Sequence, residues 1–407
     1  MRNSSPAPLY LRKARWSVSG YFTLSGFVFG TWAACIPSLD SRLNLGEARL
    51  GTVLFTLAVS TLIAILLSGP VCDRLSSRTV LRVAGPLCAL FLIAPALAPS
   101  YPLLLVGAVI YGIGIGIIEV SMNANSVEVE MRYGRPIISA FHGLWSLGGA
   151  ISGAATALAL GIGVQSQAIL VGTALLGAIC FLLITKPLLA PVERPIDSNA
   201  DDVAKRAIPL VILSAVALLS VAAHLAEGGV VDWANLHASR ELDASDALAP
   251  LSYTIFGIAM TIVRLLGDPI RSRLGPRLTL FLSGAFAAGG YAIALGSTAI
   301  GSLPLSWVGW AAAGCGLGIV IPVLFSAIGQ AGGGASSIAL VSGFGSVGVL
   351  IGPILIGFTA AATSLTTALI IPAILGALIA LMGPSTLRHL VKKNESSTQK
   401  TAVPAGV

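Results

Sequence analysis

Apolar stretches of about twenty residues recur along the chain, parted by short polar turns that carry nearly all of the charge. At a rise of 1.5 Å per residue, each stretch is long enough to cross a hydrocarbon layer of about 30 Å. A backbone that crosses lipid must satisfy its own hydrogen bonds, so each stretch is predicted as a helix. The predicted spans are 16–37, 48–69, 79–98, 102–125, 136–160, 166–186, 207–238, 248–267, 277–298, 303–328, 335–362 and 365–383. This pattern predicts an all-α membrane protein of twelve transmembrane helices in two pseudo-symmetric six-helix bundles.

One long polar connector divides the pattern. Residues 187–206 carry Glu193, Arg194, Asp197, Asp201, Asp202, Lys205 and Arg206, and separate an N-terminal bundle (1–186) from a C-terminal bundle with a polar tail (207–407). The two halves also repeat one another. Gly107, Gly112, Gly114 and Gly116 recur 202 positions on as Gly309, Gly314, Gly316 and Gly318. Gly143, Ser146, Gly148 and Ile151 recur 200 positions on as Gly343, Ser346, Gly348 and Ile351.

Composition removes the soluble readings. With 55% hydrophobic and 10% charged residues, the chain has too little polar surface to cover a water-soluble globule. The 46 glycines and 22 prolines fall largely within the apolar runs, where lipid-embedded helices use them for close packing and bends. Cys35, Cys72, Cys88, Cys180 and Cys315 lie in or beside apolar segments at spacings that suit neither a disulfide framework nor zinc. The net charge of +7 reflects topology rather than nucleic-acid binding: with the N-terminus inside, twenty of the 24 Lys and Arg fall on the cytoplasmic side. Both termini are therefore expected in the cytoplasm of a bacterial-type inner membrane. The first apolar run is too long for a cleaved signal peptide.

Ionisable residues within spans are costly, at roughly 2.5–3.5 kcal/mol near a helix centre, so each is a functional candidate. Glu119, His142, Glu227 and Asp232 stand out, with His224 and Arg264 beside them. Glu119 and Asn123 are four residues apart and share a helix face. A carboxyl in a half-dry cavity can exchange a proton in each cycle. His142 titrates in the physiological range and suits a proton relay, if it meets Glu119 across the cavity; the alternative is a packing histidine. The predicted seventh helix combines Glu227, Gly228, Gly229, Asp232 and Trp233, although Asp232 and Trp233 lie near the outer end and suit an interfacial pair equally well. Trp32 and Trp145 offer aromatic planes for a solute or for packing. Arg264 is expected to snorkel to the cytoplasm or to pair with Asp268 as part of a gate.

The turn after the second predicted helix, Gly69-Pro-Val-Cys-Asp73-Arg74-Leu-Ser-Ser-Arg78, resembles the loop 2–3 signature of the major facilitator superfamily, Gly-x-x-x-Asp-Arg-x-Gly-Arg-Arg/Lys. Ser76 and Ser77 stand where that pattern has Gly-Arg. Pro70, Arg74, Leu75 and Arg78 recur 199 positions on as Pro269, Arg273, Leu274 and Arg277. The resemblance implies the superfamily's fold and a cytoplasmic gate formed by Gly69, Asp73, Arg74, Arg78, Arg264, Asp268, Arg273 and Arg277. The bland alternative is that these charges only orient the loop. Glu119-Val-Ser-Met-Asn123 resembles the Glu-x-x-x-Asn of the superfamily's fucose/proton symporter branch, which also uses an aspartate in its first helix; none lies between Trp16 and Pro37 here.

The expected function is secondary active transport by alternating access, as proton symport of a small polar solute such as a sugar. Expected proton-coupling residues are Glu119, His142 and Glu227, and expected substrate-binding residues are Asn123, Trp32, Trp145, Asp232 and Trp233. Proton-driven efflux of an amphiphilic compound is the first alternative, although its helix 5 Gly-Pro signature is absent, Gly148 being followed by Gly149. A transporter-like receptor is the second. No Walker-A loop, metal-ligand cluster or nucleophile elbow is present, so no enzyme activity, metal or cofactor is expected. The expected partners are a small solute, protons and the lipid bilayer, with the protein a monomer.

Overall fold

A computed structural model of the chain describes residues 8–133, 137–189, 208–331 and 335–401, apart from the side chains of Asp73, Ser139, Asp268 and the stretches 329–330, 335–339 and 391–401. The first half contains α1 (Leu9–Leu43), α2 (Gly46–Leu75), α3 (Ser77–Phe91, prolonged by Ile93–Ala96), α4 (Tyr101–Tyr133), α5 (Ile138–Gly161) and α6 (Ser166–Ile184). The second half opens with α7 (Leu210–Glu241), followed by Leu251–Gly296, a run of two helices turned at Gly275; α8 precedes the turn and α9 follows it. Then come α10 (Leu303–Leu317, resumed as Val320–Gln330), α11 (Ala335–Ala362) and α12 (Ile370–Thr401). Among the described residues eleven helices are long and apolar enough to cross a membrane, and the shorter apolar Leu251–Gly267 makes a twelfth. Most of the polar connector, from 190 to 207, lies outside the described residues.

Several helices outrun their predicted spans. The first was predicted to stop at Pro37 but continues to Leu43, where Asn44 takes a left-handed conformation (φ 48°) and ends it. Leu66, Leu176, Leu183, Val211 and Leu381 are each at least 66% exposed, as side chains facing lipid should be.

The repeat read from the sequence corresponds to a repeat in packing. A Cβ placed on Gly112 of α4 would stand 2.6 Å from the Leu57 carbonyl of α2; on its counterpart Gly314 of α10 it would stand 2.4 Å from the Phe256 carbonyl of α8. Likewise, Gly148 of α5 lies against the Thr23 carbonyl of α1, and Gly348 of α11 against the Val221 carbonyl of α7. Each half therefore docks its fourth helix on its second and its fifth on its first by the same backbone approach.

The halves meet mainly at the end of the bundle remote from both termini, here called the distal end. Gly51 of α2 is so close to α11 that an added Cβ would lie 2.8 Å from the Pro353 carbonyl, and Gly153 of α5 faces Thr254 of α8. Gly69 lies on the same face of α2, five turns along, and has nothing within 4 Å of that position; nor does Gly343 of α11. The halves thus part toward the end that carries the termini.

The two turns that follow α2 and α8 share one backbone geometry. Ser76 has φ 74° and ψ 144°, and its repeat partner Gly275 has φ 75° and ψ 158°. Glycine adopts this conformation freely, whereas a residue with a Cβ is strained there by about 1–3 kcal/mol. Ser76 offsets part of that strain, since its hydroxyl caps α3 by accepting from the Thr79 amide at 3.3 Å. The Ser76→Gly variant should therefore melt about 2 °C higher in detergent, and Ser76→Val should melt lower. A drop for Ser76→Gly would mean that the cap outweighs the strain.

Candidate functional site

Glu119 is exposed on α4, on a face where Ala108, Gly112 and Ser126 are buried and Ile115 and Asn123, one turn away on either side, are half-buried. Open space therefore faces this carboxyl. Among the described residues the Glu119 carboxyl has no hydrogen-bonding or ionic partner. The Asn123 amide, one turn away and half-buried, folds back to donate to the Glu119 main-chain carbonyl at 2.9 Å. It does not engage the carboxyl.

A second group of residues gathers around Arg264 of α8. The guanidinium donates to Glu227 of α7 at 3.2 and 3.5 Å, to the Ser146 hydroxyl of α5 at 2.6 Å and to the Gly318 carbonyl at 3.4 Å. This carbonyl lacks its helical partner because the residue four positions on is Pro322, which has no amide hydrogen, and α10 breaks between Leu317 and Val320. Arg264 therefore does not snorkel as expected: its fork is taken up by an acid, a hydroxyl and a carbonyl at the helix interface. Two of these partners are on the second half and one is on the first. Both charged side chains keep contact with solvent, 20% exposed for Arg264 and 22% for Glu227.

His142 stands one turn before Ser146 on α5, with its ring edge-on to Phe22 at 5.2 Å. Its charged neighbours are Arg264 and Glu227. The expectation that it meets Glu119 is not realised here, because α5 directs it toward the second half.

The remaining candidates divide between open and packed positions. Asp232 is half-buried, has no hydrogen-bonding partner among the described residues, and lies within electrostatic reach of Tyr253 and Tyr291. Trp145 is half-buried and packs on Phe29 at 5.7 Å. Trp32, 1% exposed, packs on Tyr111, and Trp233 is fully buried. Neither can touch a solute in this conformation, because large apolar rings are drawn into the bundle where helices cross.

At the end bearing the termini, Arg74, Arg273 and Arg277 are exposed and Arg78 is half-buried. The side chains of Asp73 and Asp268 lie outside the described residues, and the ion pairs between the halves that are described, Arg240 with Asp40 and with Glu47, lie at the distal end. Several polar bonds at this end tie α3 and α4 together. The Ser77 hydroxyl donates to Glu128 at 3.0 Å, while the buried Asn125 amide donates to Ser77 and to the Leu189 carbonyl. Ser77, which departs from the superfamily pattern, is thus bound into α4. Glu130 accepts from the Ile137 and Ile138 amides and caps α5.

Sequence reasoning overlooked Ser146 as a ligand of Arg264, although the residue stood out in the repeat. Tyr253 and Asn235 carried no signal, being ordinary residues within apolar runs. Asp40, Glu47 and Arg240 lie at helix ends, far apart in sequence, and only the fold brings them together.

The chain matches the model of the Major Facilitator Superfamily over residues 18–338. It is 30% identical to an uncharacterised MFS-type transporter of Yersinia pestis over 85% of this chain and 89% of that one. It is 26% identical to the membrane protein MosC of Rhizobium meliloti, covering 92% of this chain and 90% of that protein. Among solved structures, the nucleoside transporter NupG superposes with a TM-score of 0.73 at 17% identity, covering 92% of this chain and 99% of that one. The partially occluded, inward-open form of the xylose transporter XylE of E. coli superposes with a TM-score of 0.72 at 13% identity, over 92% of this chain and 98% of its own. Matched over most of its length in sequence and superposable in fold, the chain belongs to the major facilitator superfamily.

Proposed function

We propose that the protein carries out proton-coupled symport of a small polar solute, such as a sugar or related metabolite, by alternating access. The observation that carries this reading is Glu119, an unpartnered carboxyl opening onto free space within a membrane-spanning helix. Keeping an acid there costs free energy that a packing role would not require, and proton exchange gives it a use. The superposable solved structures support the solute class, because they include a nucleoside transporter and a D-xylose-proton symporter. The Glu-x-x-x-Asn spacing from Glu119 to Asn123 agrees with the fucose/proton symporter branch.

With both termini in the cytoplasm of the inner membrane, the distal end is external and the conformation faces inward. An imported solute would then leave through the parted end. Asn123, Trp145 and Asp232 supply an amide, an aromatic face and an unpaired carboxyl to hold it. Glu227 and Arg264 couple the site to the position of the halves, since the Arg264–Ser146 bond must break when the halves separate there.

Two measurements test this reading. In liposomes with an imposed pH gradient, proton entry should accompany uptake of one member of a panel of sugars and nucleosides. Glu119→Gln should lower proton-driven uptake by more than about tenfold while solute exchange without a gradient continues; unchanged uptake in this variant removes Glu119 from coupling. Separately, Glu227→Gln leaves the Arg264 charge half-buried without its acid. That should cost about 1–3 kcal/mol, read as a lower Tm, and the Glu227→Gln/Arg264→Gln pair should recover part of the loss. If the losses simply add, the two residues do not act as a pair.

A further inference from the structure

The distal end is held shut by polar contacts that all start on α7. In its last turn Arg240 sets one guanidinium nitrogen against Asp40 of α1 and another against Glu47 of α2. Five residues earlier Asn235, 1% exposed, donates to the Ala33 carbonyl of α1 at 3.2 Å and accepts from the Tyr253 amide of α8 at 3.0 Å. The Arg240 pairs and the Asn235–Ala33 bond cross between the halves; the Asn235–Tyr253 bond remains within the second.

The receiving side is organised without Arg240. Asp40 also accepts from the Gly46 amide at 3.0 Å, which closes the turn between α1 and α2, where Asn44 and Gly46 have φ of 48° and 71°. Glu47 lies in the first turn of α2, where a carboxylate is favoured by the helix dipole. The neighbouring cations of this turn are engaged elsewhere: Arg42 donates to the Ala96 carbonyl at 3.1 Å, and Arg49 lies over the Tyr101 ring at 5.5 Å. Two fixed carboxylates of the first half are thereby left for one guanidinium of the second. Side-chain exposures of 6% for Asp40 and 25–28% for Glu47 and Arg240 place the trio between a surface pair and a buried one.

We propose that Arg240, with Asp40 and Glu47, is a charge lock that biases the transporter toward the state closed at its distal end. Opening that end withdraws α7 from the α1–α2 turn, exchanging both ion pairs for water. The lock rests on the alternating-access part of the proposed function and not on proton coupling. Loss of proton-linked flux in Glu119→Gln therefore leaves it standing.

The test is a spin-label distance measurement across the distal end, with Leu97→Cys and Ile300→Cys as label sites in full-length protein lacking its five native cysteines, in lipid nanodiscs. Both sites are exposed, one on each half. Arg240→Gln should raise the ratio of long to short distances by about fivefold. Asp40→Asn with Glu47→Gln should shift it in the same direction, and adding Arg240→Gln to that pair should shift it no further. Should Arg240→Gln fail to reach the membrane, Arg240→Lys, which keeps the charge without the fork, should give a smaller shift of the same sign. An unchanged distribution in both the arginine and the carboxylate variants overturns the lock. So does a full Arg240→Gln shift in the carboxylate-free background, because Arg240 would then act through something other than Asp40 and Glu47.

Discussion

Within lipid no water competes for a backbone amide, and no hydrophobic gain rewards one helix for leaving the tails to meet another. Helices must then be held by close contact, which requires positions where a side chain is missing. Gly112 and Gly314 bring α4 onto α2 and α10 onto α8, and Gly148 and Gly348 bring α5 onto α1 and α11 onto α7. Away from these contacts Glu119 is exposed, Asp232 is half-buried, and Arg264 and Glu227 keep contact with solvent.

Much of the fold was legible because both of its determinants are local in sequence. Apolar length identifies a span, and a glycine ladder identifies a packing face, so the number of helices and the repeat could be read from residues alone. Helix ends were less legible. The first apolar run ends at Pro37, but the helix passes through it to Leu43. The turn at Ser76 is another instance: the superfamily pattern has glycine there, and the serine keeps the same positive φ that Gly275 adopts in the second half. The sequence difference changed the residue and its cap, not the path of the chain.

The candidate site was legible in composition and much less so in pairing. Costly residues inside spans are conspicuous one at a time, and Glu119, His142, Glu227 and Arg264 were all singled out. Which of them meet depends on helix rotation, which periodicity in a nearly uniform apolar sequence does not fix. Arg264 therefore read as a snorkelling cation, although its partners Glu227 and Ser146 lie 37 and 118 positions away. The distal trio shows the same limit, since Arg240 is separated from Asp40 by 200 positions and from Glu47 by 193.

The repeat makes the scaffold symmetric while the charges are not, and this asymmetry bears on how the protein moves. Glu119 has Ile321 as its repeat partner and His142 has Ser342, so neither has a counterpart in the second half, whose own embedded acids, Glu227 and Asp232, lie on α7. A transporter must keep its two end states close in free energy. Moving a population from 1:99 to 99:1 takes about 5.5 kcal/mol, so a single contact of that size would trap one state. Partly exposed ion pairs are worth roughly 0.2–1 kcal/mol each. Two such pairs at Arg240, with the Arg264–Ser146 hydrogen bond beside them, are sufficient to bias the halves several-fold and too weak to freeze them. Full burial of these charges would raise the cost of breaking any one pair to several kcal/mol. The residual exposure of Arg240 and Glu47 is therefore part of what allows the halves to exchange contacts.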